Sequence, residues 1–66
     1  MLAPHLALVT PDAELEARLD YHLSVVDVLG AMSRAEVGLM RAAFDAHVPS
    51  TVFTAQIQQQ RAAEAA

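Results

Sequence analysis

The chain has no cysteine, no lysine and no tryptophan. Without cysteine it has neither disulfides nor thiolate metal ligands, and nothing in it reports a redox compartment. Without lysine it has no Schiff-base amine and no phosphate-loop lysine. Its cations are Arg18, Arg34, Arg41 and Arg61 alone. Aromatic mass is confined to Tyr21, Phe44 and Phe53. A long hydrophobic run is also missing. The opening MLAPHLALV is broken by Pro4 and His5 and has no basic flank, whereas a spanning helix needs about 20 apolar residues and a signal peptide needs a basic n-region. A soluble cytoplasmic protein is the expectation.

What is present is a small, apolar, acidic chain. At 66 residues it makes one domain, and such a chain buries only about 60% of its unfolded surface. Small folds usually add a disulfide, a metal or a partner subunit. With disulfides excluded, oligomerisation or folding onto a partner is the expected supplement. A hydrophobic content of 55% and mean hydropathy of +0.30 argue against disorder, although much of that content is Ala, which favours helix but adds little core volume. The net charge of −4 argues against binding driven by phosphate neutralisation or anionic lipid.

The stretch from Thr10 to Met32 organises the rest. Thr10, Pro11 and Asp12 read as cap, first helical residue and dipole partner. Residues 1–9 then form an apolar N-terminal arm, extended and packed or else a partly ordered terminus, and residues 10–66 a single helical domain. Spacing residues about 100° apart puts Leu15, Leu19, His22, Val26 and Leu29 on one stripe. Leu23 flanks it on one side, and Tyr21, Val25 and Val28 widen it on the other. Glu16, Asp20, Ser24 and Asp27 lie opposite. This apolar arc is about twice the width of an ordinary surface helix's, so it needs cover from two sides.

Gly30 is placed to end this helix in the left-handed conformation. Ser33 and Glu36 form a capping box for a second, with Met32 and Val37 as its hydrophobic staple. That helix runs from Arg34 to His47 with Val37, Met40, Ala43, Phe44 and His47 inward, until Val48-Pro49 stops it. Ser50 can cap a third helix whose apolar side is thin: Val52, Phe53 and Ile57. The last turn or two should fray. The fold class expected is all-α, a three-helix unit with a long first helix and two shorter ones, its core completed by oligomerisation.

Candidate chemistry is sparse. His22 lies within the apolar arc with Arg18, not a carboxylate, one turn away, and reads as a core or interface residue. No histidine pairs with another ligand at helical i, i+3 or i, i+4 spacing, so no metal and no cofactor is expected. The carboxylates fall on a solvated face, no serine has a base placed by sequence, and a domain this small hardly encloses a substrate. Enzymatic activity is not expected.

Residues 43–61 can be read as a helix-turn-helix, with Thr51, Thr54, Gln58 and Arg61 reaching a DNA duplex from a dimer. His47 in the turn and Gln56 at a docking position weaken that alternative. The favoured reading is a small protein–protein interaction protein, an adaptor, inhibitor or regulatory subunit, acting as a homodimer or on another protein by helix–helix docking. Leu19, His22, Val26, Leu29, Met40 and Phe44 are expected inside. Tyr21, Val25, Val28, Phe53 and Ile57 are expected to meet the partner.

Overall fold

The computed structural model describes the backbone of residues 3–66 and the side chains of residues 12–66. Three helices follow one another: α1 (Ala3–Leu29), α2 (Arg34–Asp45) and α3 (Ser50–Ala65). The all-α three-helix reading therefore holds.

Gly30 takes φ 70° and ends α1 as expected, its N–H bonding the Val26 carbonyl at 2.8 Å. The capping box is complete: Ser33 Oγ accepts from the Glu36 N–H at 3.1 Å, and Glu36 Oε1 accepts from the Ser33 N–H at 2.9 Å. These local signals act within four residues, which is why sequence alone exposes them.

Three expectations are corrected. α1 begins at Ala3, so residues 3–9 continue the helix and Thr10 and Pro11 lie inside it. The Ala- and Leu-rich segment favours helix, and Pro4 falls in the first turn where a missing N–H costs nothing. Residues 1 and 2 of the expected arm lie outside the described residues, as does the capping role of the Thr10 side chain. α2 ends at Asp45 rather than His47. His47 takes φ 62°, and the chain closes with His47 N–H on the Phe44 carbonyl at 3.0 Å and Val48 N–H on the Ala43 carbonyl at 2.9 Å. That pair of bonds is a Schellman closure, which turns His47 outward and tucks Val48 back over Ala43. Ser50 is the first residue of α3, not its cap; Pro49 occupies the cap and offers no side-chain bond.

Two long-range contacts fix the helix directions. Arg18 near the middle of α1 meets Asp45 at the end of α2, while Arg61 near the end of α3 meets the Leu29 carbonyl at the end of α1. α2 therefore runs antiparallel to α1, and α3 runs parallel to it. At about 1.5 Å per residue, α1 is about 40 Å long, α2 about 18 Å and α3 about 24 Å. The hairpin of α2 and α3 covers α1 only from Arg18 onward. The molecule is accordingly elongated, 59 × 19 × 19 Å.

The core is Val25, Leu29, Met40, Phe53 and Ile57, ringed by half-buried Tyr21, Met32, Val37, Ala43 and Val48. Of the residues expected inside, Leu29 and Met40 are buried and Phe44 is half-buried, but Leu19, Val26 and His22 are exposed. The hairpin docks one sector further round α1 than the leucine stripe. The Tyr21 hydroxyl donates to the Val48 carbonyl at 2.7 Å. Its ring packs edge-on to Phe44 at 5.3 Å between centroids. A leucine at this position has no such polar reach, so Tyr21 gives the covered sector a directional tie that the open sector lacks.

Candidate functional site

Because the hairpin takes the sector of Tyr21, Val25 and Leu29, the neighbouring sector of α1 is left open. Leu15, Leu19, Leu23 and Val26 lie within about 80° of one another on the helix wheel. They are 59%, 53%, 65% and 38% exposed. Single exposed aliphatic side chains are ordinary; four neighbouring ones on one helix form an apolar strip of the kind that marks an interaction surface.

One edge of the strip is acidic. Glu16, Asp20 and Asp27 lie along it and Asp12 stands at the strip's N-terminal end, all exposed, and none belongs to an ion pair among the described residues. The other edge borders a cleft of about 180 Å³ between α1 and α2, floored by Met40 and Phe44 and rimmed by His22 and Arg41. Arg18 also faces it, but its guanidinium is held by Asp45 at 3.1 Å and lies over the Phe44 ring at 5.0 Å. α1 carries Asp12, Glu14, Glu16, Asp20 and Asp27 against Arg18 alone. In α2 and α3, three carboxylates balance three arginines, so the whole net charge of −4 resides on α1.

A polar cluster at the far end of the hairpin holds the three helices together. Arg61 donates from Nε to Glu36 Oε2 at 2.8 Å and from Nη2 to Glu36 Oε1 at 2.9 Å. It also donates to the Leu29 carbonyl at 3.0 Å and the Ala31 carbonyl at 2.9 Å. The planar fork suits this double duty, pairing a carboxylate while satisfying carbonyls left open at a helix end. The Arg61 side chain, with the Ser33 backbone N–H second, holds the Glu36 carboxyl down to about 2. Burial pushes the Tyr21 hydroxyl above its usual value.

The structure divides the residues expected at a partner face. Val25, Phe53 and Ile57 are 0%, 3% and 2% exposed; they lie in the chain's own core. Tyr21 is half-buried between α1 and the α2–α3 turn. Val28 alone is open, beside a shallow depression lined by Ser24, Asp27, Ser50, Thr51 and Thr54. The arc was wide enough for two faces: of its residues expected inside, Leu19, His22 and Val26 are exposed and Leu29 is buried, whereas Val25 of the expected outer face is buried and Tyr21 half-buried. Sequence periodicity shows that both sectors are greasy but not which one the hairpin selects.

The alternative DNA-reading set is also divided. Thr51 and Gln58 are exposed. Thr54 is buried and its hydroxyl donates to the Thr51 carbonyl at 3.0 Å, while Arg61 is taken up by Glu36 and two carbonyls. The only cation of that set is thus engaged inside the chain. Among the described residues, no group of His, Asp and Glu is placed to hold a metal, and no helix is long and apolar enough to cross a membrane. Searches against protein families, curated proteins and solved structures find no match to this chain.

Proposed function

We propose that this is a non-enzymatic binding protein that docks a helix of another polypeptide along the exposed strip of α1, serving as an adaptor, inhibitor or regulatory subunit. The observation that carries the reading is the open row of Leu15, Leu19, Leu23 and Val26 on a helix longer than its own cover. Docking of an amphipathic helix into an apolar strip needs only side chains at the spacing seen here. The cleft beside the strip is smaller than the roughly 300 Å³ at which ligand pockets begin, which favours seating a side chain over enclosing a substrate.

A photo-crosslinking residue in place of Leu19 or Leu23 should give one discrete adduct in the cell, while the same residue in place of Gln59 on α3 should give none. An adduct of twice the chain mass would make the partner a second copy. Equal labelling from all three positions, or none from Leu19 and Leu23, would remove the docking role.

A further inference from the structure

We infer that the docked partner is an amphipathic helix with a basic edge, not a second copy of this chain. The inference rests on the docking role proposed above and identifies the partner's chemistry. The apolar strip specifies an apolar face, and the acidic edge beside it specifies charge. Glu16, Asp20 and Asp27 follow one border of the strip over about three turns, with Asp12 at the strip's N-terminal end, all exposed and without ion-pair partners among the described residues. Lysines or arginines on one flank of a helix laid over Leu19 and Leu23 would meet that row. Complementary edge charges of this kind choose partner and register in paired helices.

A second copy fits less well. Antiparallel pairing of two α1 helices brings like edges together, setting one carboxylate row against the other. Parallel pairing sets the row against the edge beside the α1–α2 cleft, where His22 and Arg41 stand and Arg18 is already bonded to Asp45. Either arrangement joins two helices that each carry the chain's full charge of −4. Like charge held within a few ångströms is the usual device that excludes a wrong partner.

The experiment uses the full chain and synthetic amphipathic peptides of about 20 residues, long enough to follow α1. The peptides share one leucine face and carry lysine, glutamine or glutamate along one edge. The lysine peptide should bind about tenfold more tightly than the glutamine one, since each exposed pair is worth a few-fold at most, and the glutamate peptide least. The preference should vanish in about 1 M salt, where the screening length is about 3 Å, and in a Glu16→Gln, Asp20→Asn, Asp27→Asn variant. Leu19→Gln with Leu23→Gln should abolish binding of every peptide without changing the helical signal.

Equal affinity for the lysine and glutamine peptides would overturn the basic edge and leave helix docking intact. A chain that sediments alone as a dimer, and as a monomer after Leu19→Asp, would overturn it in favour of self-pairing. Lysine-peptide binding that survives the two leucine substitutions would reduce the effect to diffuse charge attraction and overturn it as well. A monomer that binds no peptide removes both this inference and the docking role.

Discussion

His47 holds a left-handed backbone, φ 62°, that costs a residue with a Cβ about 1–2 kcal/mol relative to glycine. Glycine recovers most of that and gives part back through the freedom it gains in the unfolded chain. His47→Gly should therefore stabilise the protein by about 0.5–1 kcal/mol, seen as a higher urea midpoint with an unchanged slope. A lower midpoint would mean that the exposed imidazole makes a contact worth more than the strain. Glu36 predicts a pH effect of definite sign. Its carboxyl titrates near 2 in the fold against an ordinary 4.5, so the folded state binds its proton less readily. The stabilisation from the Arg61 pair is complete above about pH 5 and is lost as the pH falls toward 2. The stability difference between the native chain and Glu36→Gln should stay level at neutral pH and shrink steadily below that point, in urea titrations at a series of pH values. Glu36 was legible in sequence only as half of the capping box, because Ser33 lies three residues away. Its second partner, Arg61, lies 25 residues on, and no local rule reaches that far.

α1 is the element whose two apolar sectors had to be told apart. The wheel showed an arc too wide for one neighbour, and that much is correct: one sector is buried and one is open. The buried sector also carries the tyrosine hydroxyl bonded to the Val48 carbonyl and leads into the corner held by Gly30 and Arg61, long-range features that periodicity does not encode. A pair of substitutions separates the sectors. Val25 is fully buried, and Val25→Ala removes two methyl groups and leaves a cavity, a loss of about 2 kcal/mol. Leu19 is more than half exposed, and Leu19→Ala should change stability by less than about 0.5 kcal/mol. Thermal melts of the two variants measure the contrast. A Leu19→Ala chain destabilised as much as Val25→Ala would show that the strip is covered in the free protein. The helix boundaries divide in the same way. Gly30 and Ser33 were readable because their partners are adjacent, whereas the start of α1 was misplaced because Thr10-Pro11-Asp12 imitates a start signal that the preceding Ala- and Leu-rich turns override.

At the scale of the whole molecule, the length and the missing cysteines pointed to a small core, and the structure shows what that core is made of. The core contains five buried apolar residues, two of them, Phe53 and Ile57, supplied by α3. The same helix brings Arg61 to the carbonyls of Leu29 and Ala31. α1 and α2 thus depend on α3 both for two core side chains and for the side chain that fastens their corner. A fragment ending at Pro49 should show little cooperative melting by circular dichroism, and adding a separate α3 peptide should restore it. α3 is thus a latch on the α1–α2 corner: a cut in its backbone ahead of Arg61 would leave the carbonyls of Leu29 and Ala31 without the guanidinium that holds them.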